Sequence, residues 1–328
     1  MAPPNAAPNN LPSTFHYAGW TIKYTLLSHP TLHHTDPPPT NPKTLVFIHG
    51  TPWSSTVFQP LIQSLLSSPQ FSKTYRILLY DMPGYGQSQL PYPTTSYPTT
   101  TNASSHRDFK DNQNDTSVAT QAQTLRALLA HLKIENPAVL AHDIGGAIAL
   151  RAHLILGVGF ERMMLLDSNA VLPWGDGFYA LARAEPGVFA RLPAHVFEAV
   201  VRSVVRSASV TAHGLEGGWE EALMGPWVGS TEAQESFVRQ IAQAEDGDVA
   251  EMFADGGDEC LYGRVRCGVS VLWGSKDSWI PREKMERLCG LLGERLERFV
   301  VVEDAGHLLM LDQPERVDEE VRRWLSVE

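Results

Sequence analysis

The sequence predicts an α/β protein: a mostly parallel sheet flanked by helices, with a helical segment inserted ahead of the last strands. Three observations predict it. Short β-rich apolar runs alternate with longer runs whose apolar residues recur at three and four. Gly, Pro or polar clusters close most of the short runs. One long stretch, from about Val171 to Arg266, breaks the alternation with helix-like runs and no convincing strand.

In chain order, residues 1–13 (MAPPNAAPNNLPS) have no apolar periodicity and are expected to be a disordered tail. His16 to Leu27 fits an antiparallel edge strand or hairpin. Thr44–Ile48 and Tyr75–Tyr80 fit buried parallel strands, with a helix over Val57–Leu66 between them. Tyr92 to Ser117, rich in Pro, Ser, Thr and Asn, is expected as a flexible insertion over 92–117; its sequons at Asn102 and Asn114 lack a secretory signal ahead of them. Helix Val118–Leu132, strand Ala138–Ala141, helix Gly145–Leu156 and strand Met163–Leu166 follow. The segment 171–266 then carries helical runs at Ala194–Val205 and Thr231–Ala244. Strand Val269–Trp273, helix Arg282–Leu292, strand Phe299–Val302 and helix Pro314–Leu325 complete the pattern. The expected organisation is a core of 14–170 and 267–328 under a helical cap of 171–266. That cap would lie over the crevice that parallel sheets form at their C-terminal edge.

Composition excludes several classes of function. With 26 Lys plus Arg against 37 Asp plus Glu, the net charge is −11, and no basic cluster compensates locally. Nucleic acid and anionic membranes are therefore not expected partners. At 43% apolar over 328 residues, the chain has the composition of a soluble protein with a large core. The apolar stretch Ala147–Phe160 is interrupted by Arg151 and His153, so no membrane-spanning helix is expected. The N-terminus has no basic start and no apolar region, which makes a cytoplasmic location the expectation. Cys260, Cys267 and Cys289 are odd in number and lack C-x-x-C spacing, as suits reduced thiols. Gly157-Val158-Gly159 lacks the third Gly of a dinucleotide loop. Asp246, Asp248, Asp255, Asp258 and Glu259 lack EF-hand spacing, and His29, His33 and His34 sit in a polar Pro-rich loop. No cofactor and no metal are expected; self-association is left open.

Strand Ala138–Ala141 runs into His142-Asp143-Ile144-Gly145-Gly146 and then a helix, which puts Asp143 on a tight strand-to-helix turn. Ala141 and Gly145 supply the small side chains that such a turn needs. Asp143 taken alone could equally cap that helix. Two further residues follow in order, each in a loop beyond a strand's C-terminal end: Asp277 in Gly274-Ser275-Lys276-Asp277, and His307 in Asp304-Ala305-Gly306-His307. Nucleophile, acid and histidine in that order form a hydrolytic trio, and parallel neighbouring strands let all three converge. Near the front, His49-Gly50-Thr51-Pro52 follows strand Thr44–Ile48, so the Thr51 and Ile144 N–H groups could form an oxyanion hole. Asp81 and Ser88 in DMPGYGQS read as loop-shaping. Trp53, Trp174, Tyr179 and Trp227 sit beside the HGTP turn or in the helical segment, where aromatics can line an apolar pocket or pack a core.

HGTP, DMPGYGQS, HDIGG, GSKD and DAGH together resemble the α/β-hydrolase superfamily, over nearly the whole core. An Asp at the turn after a His, with the HGxP turn, resembles its epoxide hydrolase and haloalkane dehalogenase branch. The resemblance implies an α/β-hydrolase fold with an inserted helical cap. In that branch epoxide hydrolases bring two cap tyrosines to the epoxide oxygen, for which this segment offers Tyr179 and Tyr262. Dehalogenases carry Trp after the nucleophile and often Asn after HG, where this chain has Ile144 and Thr51; fluoroacetate-type enzymes carry Arg where Ile144 stands.

An Asp in place of Ser changes the chemistry, because a carboxylate attacks an sp³ carbon to give an alkyl-enzyme ester. The expectation is a cofactor-free hydrolase in which Asp143 attacks, and His307, oriented by Asp277, activates water. Thr51 and Ile144 would hold the oxyanion, Trp53, Trp174 and Tyr179 would contact an apolar small molecule, and epoxide opening leads. Dehalogenation, C–C or lactone chemistry with Asp143 as base, and a non-catalytic small-molecule binding protein are the rivals.

Overall fold

The computed structural model describes residues 9–28, 42–89, 114–174, 177–210, 212–253 and 260–326. Eight strands form one sheet in the order β1-β2-β4-β3-β5-β6-β7-β8. They are β1 Ser13–Tyr17, β2 Trp20–Leu27, β3 Lys43–Ile48, β4 Tyr75–Tyr80, β5 Ala138–His142, β6 Arg162–Leu166, β7 Gly268–Gly274 and β8 Leu296–Val302. β1 pairs antiparallel with β2, and β2 with β4; the other neighbours are parallel. Burial explains which runs lack alternation. All of β5, and all but the first residue of β3, β6 and β7, are buried, as strands covered on both faces must be. Edge strand β1 alternates instead between half-buried and exposed positions.

After β3 the chain turns to β4 on one side and later returns to β5 on the other. Loops leaving β3 and β5 therefore diverge at their C-terminal ends and open a crevice there. Asp143 and Thr51 stand at its two lips. Helices Gln59–Ser67, Val118–His131, Ile144–Leu154, Arg282–Leu292 and Pro314–Ser326 cover the sheet. Between β6 and β7 the described residues hold helices and no strand, among them Gly177–Ala184, Ala194–Ser207, Trp219–Met224 and Thr231–Ala242. Helix Ala194–Ser207 buries Phe197, Val201, Val204 and Val205, one stripe of an otherwise exposed rod. No helix among the described residues is long and apolar enough to cross a membrane.

Two expectations of mobility differ from the structure where it can be compared. Residues 1–8 and 90–113 lie outside the described residues, as do the sequon Asn102 and His29, His33 and His34. The end of the expected tail is packed: Leu11 is buried, and the Asn9 side-chain amide donates to the Ser55 carbonyl at 2.8 Å. The end of the 92–117 segment is likewise built in, with Trp20 Nε1 donating to the Asp115 carbonyl at 3.1 Å and Ser117 capping helix Val118–His131. Polar composition looks the same whether the residues are solvated or capping a helix. Helix Pro69–Thr74, unforeseen, is polar and short, and rests on the Ser68 cap with Pro at its start.

Candidate active site

Asp143 has φ 54° and ψ −125°, a conformation that costs a non-glycine residue about 1–3 kcal/mol and persists only where its surroundings enforce it. They do. A Cβ at Gly145 would lie 2.6 Å from the Ile48 carbonyl oxygen, and one at Gly50 would lie 2.7 Å from Asp143 Oδ2. Only glycine lets the β3 and β5 turns approach this closely. The Asp143 side chain does not cap its own helix. Oδ2 instead accepts the Thr51 N–H at 2.8 Å, and the neighbouring Ile144 N–H adds to the pull that favours the carboxylate charge.

His307 Nε2 lies 3.9 Å from Asp143 Oδ1, and its Nδ1 lies 2.9 Å from Asp277 Oδ2. Asp277 Oδ1 accepts the N–H groups of Trp279 at 2.7 Å and Ile280 at 3.1 Å, which fixes the carboxylate plane. The His307 loop is pinned twice: Asp312 Oδ2 accepts the Gly306 N–H at 2.8 Å, and His142 Nε2 donates to the His307 carbonyl at 2.8 Å. The sequence-expected trio thus meets at the ends of β5, β7 and β8, with His307 hydrogen-bonded to Asp277 and its Nε2 facing Asp143 without a hydrogen bond.

Above Asp143 lies a pocket partly open to solvent. Of the expected residues, Thr51, Asp143, Ile144, Trp174 and Tyr179 line it. Trp53 does not, which corrects its expected role: its indole is buried and stacks on Trp279 with centroids 5.7 Å apart, behind the wall. Trp227 donates from Nε1 to the Pro52 carbonyl at 2.7 Å and packs edge-on to Tyr85, so it too supports the turn from outside. Tyr262 is excluded from ring-oxygen chemistry, since its buried hydroxyl donates to the Ala170 carbonyl away from the cavity.

Residues 45–320 match the alpha/beta hydrolase family. This chain belongs to that family. The hydrolase is 25% identical over 292 residues to an uncharacterized protein of Mycobacterium tuberculosis (strain ATCC 25618 / H37Rv), covering 86% of this chain and 75% of that one. It superposes with a TM-score of 0.73 and 27% identity on an alpha/beta hydrolase fold protein from Burkholderia ambifaria, covering 95% and 97% of the two chains. It shares the fold, at 16% identity and TM-score 0.66, with the enol-lactonase from Burkholderia xenovorans LB400, over 96% and 100%.

Electrostatics in the hydrolase site follow from burial and charge. Burial pushes the Asp143 carboxyl from 3.8 up to about 6, against the pull of His307 and the two N–H donors. At pH 7 it is still ionised by about ten to one. Burial also opposes the His307 imidazolium, but the charges of Asp277 and Asp143 outweigh it and hold His307 above the ordinary histidine value. Burial and the His307 charge hold His142 well below that value. Asp167, at φ 41° just beyond β6, accepts the Gly274 N–H at 2.8 Å, and burial pushes it well above the usual carboxylate range. One ligand-type atom each of His142, Asp167 and His307 falls within 4.8 Å of the others.

Asn169, Arg183, Ile241, Ala244, Trp279 and Ile280, which no sequence motif marks, also line the cavity. Trp279 stands two residues after Asp277; its ring stacks on His307 at 4.7 Å. Arg183 is spent on structure, donating to the Ala244 and Trp174 carbonyls and to Asp246. As expected, Asp81 shapes its loop, accepting the N–H groups of Ser55 and Gln87, both at 2.8 Å.

Proposed function

We propose that this hydrolase opens an epoxide in a largely apolar small molecule through an Asp143 ester, without a cofactor, and that the segment between β6 and β7 is its cap. One observation carries the reading: a carboxylate, in place of a hydroxyl, occupies the strained turn, bonded to the Thr51 N–H and facing His307. A carboxylate there is a nucleophile for sp³ carbon. Asp143 Oδ1 attacks a ring carbon, the ring C–O bond breaks, and the oxygen takes the proton of Tyr179, which lines the cavity. His307 then accepts a proton from water, and the hydroxide adds to Asp143 Cγ while Thr51 and Ile144 donate to the oxyanion. Collapse releases the diol, whose departing oxygen takes the new carboxyl proton; the His307 proton returns to Tyr179. Alkylation removes one of the two charges that raise His307, so its pKa falls and more of it stands in the neutral form that accepts a proton when hydrolysis begins.

His307→Gln tests this, because it leaves the first step and removes the second. The variant is treated separately with an aryl epoxide, a bromoalkane and an activated ester, and intact mass and peptide maps are recorded. The expected result is a gain equal to the whole epoxide on the Asp143 peptide. A gain of bromoalkane minus HBr moves the assignment to dehalogenation, and an acyl gain moves it to ester or lactone chemistry. No adduct on folded protein removes covalent catalysis by Asp143 and favours a base or binding role.

A further inference from the structure

Helix Thr231–Ala242 of the proposed cap is buried on nearly every side from Gln234 onward, including polar side chains that such a helix would ordinarily turn to water. Ser236, Gln240 and Gln243 fall at i, i+4 and i+7 and form a row along it. Each meets the core. Ser236 Oγ donates to the Gly84 carbonyl at 3.3 Å, and Gln243 Oε1 accepts the Thr116 N–H at 2.7 Å. Gln240 is 1% exposed, and its Oε1 accepts two hydroxyls, those of Thr51 and of Tyr85, the latter at 2.9 Å. The two hydroxyls are themselves 2.7 Å apart. An apolar seam tolerates sliding; this one holds a single register, because each slip would strand a buried donor or acceptor.

Thr51 is the residue whose N–H reaches Asp143 Oδ2. We infer that Gln240 is a positioning residue: through the Thr51 hydroxyl it holds the Thr51 N–H on the oxyanion, so that ester hydrolysis depends on the seating of the cap. This rests on the ester reading above. The two steps need Thr51 differently. During alkylation, charge leaves Asp143 and the Thr51 N–H bond weakens; during hydrolysis, charge grows on that oxygen and the bond strengthens. Misplacing the N–H therefore slows the second step and spares the first.

Gln240→Met keeps the length and removes the acceptor. Thr51→Val keeps the shape and the N–H but removes the hydroxyl, and serves where the first variant folds poorly. Single-turnover mixing with an aryl epoxide, quenched for intact mass, follows adduct formation and decay separately. Removing an oxyanion donor outright costs about 10²–10³ in rate, so displacing one should slow decay about tenfold or more, with formation unchanged within about twofold. The double variant should be no slower than the worse single one, since both cut the same link. Equal slowing of both steps means that Gln240 only supports the fold, and no slowing means that Thr51 is held without it; either overturns the inference. If His307→Gln forms no adduct, the ester reading falls and takes this inference with it. An adduct there, with normal decay in Gln240→Met, overturns this inference alone.

Discussion

Asp143→Asn should abolish turnover and yet make the protein more stable at neutral pH. Burial raises the Asp143 carboxyl from 3.8 to about 6, a figure that already includes the opposing pull of His307 and of the Thr51 and Ile144 N–H groups. At about 1.4 kcal/mol per unit, ionising it in the fold costs about 3 kcal/mol relative to the unfolded chain. The sign follows from the raised value. The neutral acid's contribution is complete below pH 3.8 and is lost as pH rises through about 6, so above that pH the wild type bears the whole cost. Asn does not ionise. It tolerates positive φ as Asp does, so the strain at 54° is the same in both proteins. At about 2.1 cal/mol/K per residue, a chain of 328 residues has an unfolding entropy near 0.7 kcal/mol/K, and 3 kcal/mol becomes about 4 °C. Scanning calorimetry at one scan rate should therefore place the variant about 4 °C above wild type at pH 7.5 and within about 1 °C of it at pH 4. A variant that melts no higher at pH 7.5, or that is shifted equally at both pH values, refutes the reasoning.

Three other outcomes follow from the same geometry. The acid limb of kcat/KM should fall near pH 6, because Asp143 must be ionised to attack; a profile flat from pH 5 to 7 would mean that it is not the nucleophile. Tyr179→Phe removes the proposed ring-oxygen acid, and steady-state kinetics should show kcat reduced about 10²-fold with KM little changed; a loss confined to KM would make Tyr179 a packing residue. Gly50→Ala drives a methyl group against Asp143 and should lower stability by about 1–3 kcal/mol and abolish the adduct in a His307→Gln background, with wild-type melting counting against the tight approach of the two turns.

The core was legible because its physics is local. Strands such as Tyr75–Tyr80, and helices such as Arg282–Leu292, carry their period within the segment, and the structure places them over those same residues. The positions of Asp143, Asp277 and His307 were legible for a related reason: parallel strands end on one edge, so loops that follow them converge whatever lies between. The cavity walls were not. Asn169, Ile241 and Trp279 come together from loops and helices whose approach no local pattern encodes. Trp53 was misplaced because nearness in sequence to Thr51 says nothing about the side of the turn from which its ring leaves.

The least legible feature is the one that ties these parts together. A row of Ser236, Gln240 and Gln243 on a helix reads as a solvated face, since burying such groups without partners costs about 1–3 kcal/mol each. Their partners are Gly84, Thr51, Tyr85 and Thr116, which lie more than a hundred residues earlier, so the compensation is invisible until the chain has folded. A seam built only for stability would be served better by apolar packing of equal volume. Keeping polar groups here, with one of them on the hydroxyl of the residue that bonds Asp143, exchanges packing energy for a fixed register between helix and turn. The site therefore depends on two alignments: strained turns set Asp143 against Thr51 within the core, and the polar row sets the helical segment against Thr51 from above.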